Sequence, residues 1–476
     1  MPLDPHSCYR ALATHDRRFD GRFFVGVATT RIYCRPVCSV RTPRPENCRF
    51  FKSAAAAEQA GFRPCLRCRP ELAPGSASID SVERLAQGAI ALIEDGVLEE
   101  GGMPVLAREL GITTRHLRRI FAASFGVSPI AFAQTHRLLL AKRLLTDTRL
   151  PVTDVAYAAG FQSVRRFNAL FSARYRLAPA RLRRDAREAS TPAPLSFELA
   201  YRPPYEWSGM LDFLAARAIA GVERVDARRY VRTLRVVRND SVHVGWIAVS
   251  HLARRSALRV EMSASLAKAV ALVLTRVRHA FDLACDPQAI ADALGALAAD
   301  APGLRLPGAV DGFELAVRAI VGQQISVKGA RTLLSRLVAE LGVPLDTGMP
   351  DVHRAFPMPQ EILNAGPAAI ARVGIVAARA RSVVALARAI VERRIVLEPR
   401  GDVPATMRAL REIPGIGAWT AEMIAMRGLG WPDAFPPGDG ALLRALGETS
   451  AARASAQSVQ WQPWRSYAVM HLWRRL

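Results

Sequence analysis

"CRPVC" at residues 34–38 and "CLRC" at 65–68 place four of the chain's seven cysteines in two short pairs separated by 26 residues. Two such pairs are how a single chain surrounds a tetrahedral zinc ion with four sulfurs, Cys34, Cys38, Cys65 and Cys68. The remaining N-terminal cysteines, Cys8 and Cys48, fall outside that pattern. The N-terminus has no apolar signal core, and no run of about 18 uninterrupted apolar residues occurs, so a cytoplasmic protein without a membrane segment is expected. In a reducing compartment thiols stay free or bind metal, which disfavours disulfides. A unit of about 70 residues has a marginal core, and structural zinc supplies on the order of 10 kcal/mol to such a fold. On spacing alone, a purely structural zinc finger is the leading explanation of the block, ahead of a reactive site.

Outward from this block, 476 residues exceed one ordinary core and suggest three or four domains. Half the residues are apolar and 22% are charged, a globular composition that argues against disorder. The net charge of +23 is shared: residues 1–190 carry 30 Lys+Arg against 17 Asp+Glu, and the remainder 35 against 25. Such a balance favours a polyanion, and nucleic acid fits better than a membrane because no amphipathic basic anchor stands out. Solvated basic faces are the plainer explanation.

Composition and periodicity divide the chain into four segments. The cysteine block, a small α/β zinc unit over 1–73, ends in the Pro/Gly/Ser-rich "PELAPGSASID". Residues 81–187 are periodic at helical spacing and close with "REASTPAPLS", a second linker reaching 196. Residues 196–302 combine the helix-like "SGMLDFLAARAIAG" with the β-branched runs "YVRTLRVV" and "SVHVGWIAVS", an α+β pattern. Residues 303–476 are again helix upon helix, broken by "PGIG" at 414–417 and "FPPGDG" at 435–440. The expected fold class is therefore multidomain and predominantly α.

"DGRFFVGVATTRIYCRPVC" followed by "GFRPCLRC" resembles the N-terminal domain of the Ada methylphosphotriester repair family over residues 6–72. That resemblance implies that Cys34 accepts the methyl group of a DNA phosphotriester while Cys38, Cys65 and Cys68 complete the zinc site. The chemistry follows from the residues: four thiolates on a dication leave a net charge near −2, so each sulfur is deprotonated and electron-rich. Methylating one of them moves the site toward −1 and weakens its repulsion of phosphates. Arg35, Arg41 and Arg44 are candidate phosphate contacts, or solvated surface.

In the helical block, "MPVLARELGITTRHLRRIFAASFGVSP" reads as a helix-turn-helix with Gly111 at the turn and Arg115, Arg118 and Arg119 on the second helix. A second copy follows, with Gly160 at the turn and Arg165 and Arg166 beyond it. Two readers joined by one helix suit two successive major-groove segments, whereas Phe161, Phe167, Phe171 and Tyr175 fit the core. The span 81–185, with "DVAYAAGF", Phe167, Phe171 and Pro179, is similar to the AraC-type DNA-binding domain. The resemblance implies double-stranded promoter DNA as a partner, with RNA polymerase beside it.

Near the C-terminus, Pro414-Gly415-Ile416-Gly417 forms a tight turn whose backbone N–H groups, at Gly415 and Gly417, can approach a DNA phosphate. Asp439 stands 22 residues beyond Gly417, and the pairing resembles the helix-hairpin-helix DNA glycosylases. "PPYEWSGMLDFLAARAIAGVE", "AIVGQQISV" (319–327) and "WQPWRSYAVMHLW" (461–473) extend the likeness to the AlkA 3-methyladenine glycosylases over 196–474. This resemblance implies that Asp439 is the catalytic carboxylate, that Trp419, Trp473 and Met423 line the base pocket, and that Gln324 is the wedge inserted into duplex DNA. Met423 replaces the tyrosine and Gln324 the leucine the family pattern leads one to expect. Backbone carbonyls near Arg411, Ile413 and Ile416 are expected to hold a monovalent or other cation in the family manner.

Related enzymes that also cut the strand use a hairpin lysine, but Trp419 stands there and Lys328 is the only lysine beyond residue 300. A monofunctional glycosylase is expected. The Pro-Cys-His-Arg motif of a second Ada methyltransferase does not occur. The whole resembles an Ada–AlkA fusion: methyl acceptor, transcriptional regulator and excision enzyme for alkylated bases in one chain. The alternative is a zinc-dependent transcription factor whose C-terminal half holds damaged DNA without cleaving it.

Overall fold

The computed structural model describes residues 4–75, 81–94, 96–182, 194–238, 241–399 and 402–476, so the two expected linkers fall partly outside the described residues. The chain divides into two compact units, Met1–Pro203 with Leu252–Thr275 and Leu283–Asp286, and Pro204–His251 with Arg276–Asp282 and Pro287–Leu476. The segment 196–302, expected as α+β, contributes strands to both.

In the first unit a four-stranded sheet runs in the order Cys48–Phe51, Phe24–Val27, Ile32–Cys34, Arg63–Pro64. Three of its strands pair antiparallel, but Ile32–Cys34 and Arg63–Pro64 are parallel, with Ile32 opposite Arg63 and Tyr33 opposite Pro64. This parallel pairing sets the two cysteine pairs at the same end of the sheet, because each pair begins as its strand ends. Phe24, Tyr33, Ala57 and Phe62 pack behind the sheet and are buried.

The helical block of this unit opens with Ser81–Glu94 and continues as the pairs Val97–Glu109/Thr114–Phe125 and Val152–Ala158/Val164–Tyr175, joined by the 19-residue helix Pro129–Asp147. Their boundaries follow from capping. Thr113, Ser128 and Ser163 each accept the N–H three residues on, satisfying a donor that the first helical turn leaves without a partner. Gly111 and Gly160 sit at φ +66° and +87°, a left-handed backbone that side chains with a Cβ avoid. Leu106, Leu117, Phe121, Phe167 and Phe171 are fully buried, and Phe161 and Tyr175 join them. Strand Leu195–Ala200 pairs antiparallel with Ala257–Met262 in this unit.

In the second unit Arg229–Arg238 and Ser241–Leu252 form the antiparallel pair foreseen in the two β-branched runs, with Glu223–Val225 on its far side. Apart from the short antiparallel pair Val343–Pro344 and Arg354–Ala355, the other regular elements are helical. Arg232 of this sheet lies between Glu223 and Glu314, at 2.6 Å from the latter, and Arg318 bonds the same two carboxylates. Burial would raise Glu223, but Arg318 and Arg232 pull it down to about 2. This buried ionic lattice seats the helix Gly312–Val321 on the sheet, and that helix leads directly to Gln323 and Gln324. Among the described residues no helix is long and apolar enough to cross a membrane.

Candidate active sites: a cysteine cluster and an indole-held carboxylate

Cys34 closes its strand, and Cys38 follows in a turn in which its N–H bonds the Arg35 carbonyl. Cys65 follows the parallel strand, its N–H donating to the Tyr33 carbonyl at 3.0 Å, and Cys68 completes the next turn. The four sulfurs lie within 4.8 Å of one another. Tetrahedral zinc with Zn–S bonds of about 2.3 Å needs sulfurs a little under 4 Å apart, so the set fits that ion. Hydrogen bonding with Cys38 and then Cys65 pushes the Cys34 thiol up, while contact with Cys34 draws Cys38 down to about 7. Once one of these sulfurs ionises, its neighbours hold on to their protons until a cation lies between them, and the four cysteines are a zinc site. Burial does not single out Cys34 as an acceptor: it is 5% exposed, and Cys68 is the more open residue.

Arg35 corrects one expectation. Rather than facing a phosphate, its guanidinium is buried, pairs with Asp20 with one N–O distance of 2.8 Å, and donates to the Cys68 carbonyl at 3.1 Å. Its backbone N–H points at the Cys68 sulfur, 3.4 Å away. Arg35 therefore braces the cysteine turn. Arg41 and Arg44 are exposed, as are Arg115, Arg118 and Arg119 on Thr114–Phe125, and Arg165 and Arg166 on Val164–Tyr175.

Glu58 was not legible as a site residue. Its carboxylate is buried and accepts from Tyr33 Oη at 3.1 Å, Thr135 Oγ1 at 3.1 Å and Tyr175 Oη at 3.4 Å. Arg174 donates to its carbonyl at 2.9 Å. The residue thus touches the neighbour of Cys34, the long linking helix and the second reading helix at once. Burial pushes its carboxyl up to about 7 against the pull of Arg174.

In the second unit, Val403–Arg411 and Ala418–Arg427 flank the Pro414–Gly417 turn, with Gly415 at φ +87°. Gly415 and Gly417 are exposed, so their backbone is open to a phosphate. The Ile413 carbonyl, one of those expected to hold a cation, accepts the Ile416 N–H at 3.0 Å. Asp439 is the N-cap of Gly440–Leu446, its Oδ1 accepting Leu442 N–H at 2.8 Å. Trp419 Nε1 donates to Oδ2 and Trp473 Nε1 to Oδ1, each at 3.0 Å. Three of the four residues expected in catalysis and base binding therefore meet, and the indoles do so through their N–H edges. Met423, half-buried, lies one helical turn beyond Trp419 on the same face.

Two supporting residues went unrecognised in the sequence. Glu422 accepts the Phe435 N–H at 3.1 Å, at the start of the loop that carries Asp439. Gln323 reaches the hairpin. Neither belongs to a motif, so only their contacts reveal them. Gln324, the expected wedge, is exposed at φ +53° in the turn after Gly312–Val321.

Four family models match in order: the metal binding domain of Ada at 7–71, a helix-turn-helix domain at 106–185, the AlkA N-terminal domain at 196–311, and the HhH-GPD superfamily of base excision DNA repair proteins at 317–462. The "Probable bifunctional transcriptional activator/DNA repair enzyme AlkA" of Mycobacterium tuberculosis is 40% identical over 491 residues, covering all of this chain and 97% of the relative. DNA-3-methyladenine glycosylase 2 of Escherichia coli is 40% identical over 277 residues, 58% of this chain and 96% of its own length. Among solved structures, the 3-methyladenine DNA glycosylase of Archaeoglobus fulgidus shares the fold with a TM-score of 0.50 at 18% identity, over 58% of this chain and 97% of that one.

Proposed function

This chain belongs to the family of bifunctional transcriptional activators and DNA repair enzymes of the AlkA type, and from that premise we propose which residues perform each task. Its DNA glycosylase activity is assigned to Asp439. The observation that carries the assignment is the pair of indole N–H groups, 3.0 Å from the two oxygens of one carboxylate. Three N–H donors hold that carboxylate in a single orientation beside two aromatic rings.

An alkylated purine is cationic and accepts the electrons of its breaking N-glycosidic bond without a strong general acid. Asp439 stabilises the positive charge that develops on the sugar. Water then forms the new bond at C1′, and its proton passes to the carboxylate and on to solvent. Trp419 and Trp473 offer electron-rich faces to the cationic base, with Met423 as a softer wall. The N–H groups of the Pro414–Gly417 turn grip the backbone, and Gln324 enters the duplex.

In the first unit, Cys34 is the methyl acceptor. Zinc, when bound, keeps the sulfurs deprotonated at neutral pH. The Cys34 sulfur forms an S–CH3 bond as the O–CH3 bond of the phosphotriester breaks, and the phosphodiester departs as an anion with that electron pair. The loss of one negative charge strengthens binding to DNA. Arg115, Arg118, Arg119, Arg165 and Arg166 then face the promoter.

Incubating the purified chain with methylated DNA tests the glycosylase assignment. Free methylpurine should appear with wild type and be lost in Asp439→Asn, with no strand cleavage. For the acceptor, mass spectrometry after exposure to methylphosphotriester DNA should find a single added methyl on Cys34.

A further inference from the structure

Helix Gly312–Val321 ends at Gly322, whose N–H bonds the Arg318 carbonyl, and the next helix, Val327–Leu341, is capped by Ser326 through Gly329 N–H at 3.1 Å. Between these stops the chain has three residues. Gln324 occupies a left-handed backbone conformation, strained for a residue with a side chain, and its side chain and that of Ile325 face solvent. Gln323 turns the other way: its amide nitrogen donates to the Gly415 carbonyl at 2.9 Å and lies 2.8 Å from Thr420 Oγ1. A carbonyl can only accept, so the nitrogen of the amide is the end that faces Gly415.

Gly415 lies in the backbone-gripping turn, and that turn is held on a second side. Ser382 donates to the Pro414 carbonyl at 2.6 Å, and a Cβ on Gly415 would come within 2.2 Å of the Ser382 hydroxyl. Ser382, from the helix Ala377–Val391, and Gln323, from the turn that presents Gln324, thus bolt successive carbonyls of the hairpin. We propose that Gln323 is a positioning residue that locks the wedge turn to the phosphate-gripping hairpin at one spacing, so that gripping the backbone also drives the wedge into the base stack. The inference rests on the reading of Gln324 as the wedge and Asp439 as the catalytic carboxylate.

Its signature is selective. Extruding a base from a paired duplex costs unstacking and unpairing energy that a base in an unpaired bubble has already lost. A loosened lock therefore hurts the first substrate and spares the second, whereas damage to the carboxylate or pocket hurts both.

The test uses the full-length, zinc-loaded protein and one oligonucleotide carrying a single 7-methylguanine, either fully paired or in a three-base bubble, with single-turnover rates measured. Gln323→Ala should lower the rate on paired DNA about ten-fold, the loss of roughly one net hydrogen bond, and on the bubble by less than about two-fold. Gln323→Glu, which keeps the size but sets an oxygen against the Gly415 carbonyl, should behave like the alanine variant, with an unchanged melting temperature. An equal loss on both substrates, or no loss on paired DNA, overturns the proposal. Gln324→Ala separates the layers: a paired-DNA defect there without one in Gln323→Ala sinks the lock and leaves the wedge standing. A defect in Gln323→Ala alone refutes the wedge on which the lock was built.

Discussion

Trp473 holds Asp439 by its edge: the indole nitrogen lies 3.0 Å from the carboxylate Oδ1, which also accepts the Leu442 N–H, while Trp419 occupies Oδ2. The indoles are orienting donors, and in the proposed function they are also pocket walls; the two roles can be separated. Trp473→Phe retains an aromatic face and removes the N–H. Its single-turnover rate should fall about three- to ten-fold while methylated DNA binds with unchanged affinity. A weaker affinity with an unchanged rate would assign the indole to base stacking alone.

Asp439→Asn should reduce excision on the order of 10²–10³-fold. Beyond losing charge, the asparagine has one oxygen for three donors, and its NH2 confronts an indole N–H. The carboxamide should therefore also rotate. Rates from methylated duplex DNA test the first effect, and a crystal structure of the variant tests the second.

Arg35 and Arg41 should separate stability from DNA binding. Removing Arg35 leaves Asp20 buried without its ion pair, at a cost of about 3–5 kcal/mol, seen as a lower melting temperature. Arg41→Ala should change stability by less than about 0.5 kcal/mol and, if Arg41 meets a phosphate, reduce the salt slope of DNA binding by about one unit.

Glu58 gives a pH signature. Burial raises its carboxyl from 4.5 to about 7 in the folded chain. A group raised on folding stabilises the native state below its unfolded pKa, and that contribution is lost as pH rises from about 4.5 to 7. The full difference is on the order of 3 kcal/mol. Glu58→Gln should lack this fall. The difference between the denaturation free energies of variant and wild type, measured from pH 4.5 to 8, should therefore move in favour of the variant and level off above 7. A difference independent of pH would contradict the assignment.

Stripping zinc with a strong chelator should dissolve the small sheet, because the cysteine pairs tie together the ends of its two parallel strands. Amide exchange at Val25 and Tyr33 should accelerate by orders of magnitude while Asp439 and its neighbours keep their protection. Retained protection at Tyr33 would show that aromatic packing alone suffices.

Local spacing made much of this protein legible. The cysteine pairs, the capped helix pairs with their glycine turns, the hairpin and the downstream aspartate each lie within short stretches whose geometry depends on nearest neighbours. The second-unit strands, from Arg229 and from Ser241, also follow from their β-branched runs. Arg35 misled because a basic residue beside a metal turn looks like a phosphate ligand. Only its approach to Asp20, fifteen residues away, shows that it stays inside.

By itself the sequence determined which chemistries are present: four sulfurs for one zinc ion, two helix pairs with basic outer faces, and one acid downstream of a glycine hairpin. The tertiary structure alone decided how those groups are held. Trp473 reaches Asp439 across 34 positions, Gln323 reaches Gly415 across 92, and Glu58 gathers Tyr33, Thr135 and Tyr175 from three elements. A hydrogen bond needs two atoms within about 3 Å and correctly aimed, and for residues so far apart along the chain that aim depends on how whole helices and strands pack.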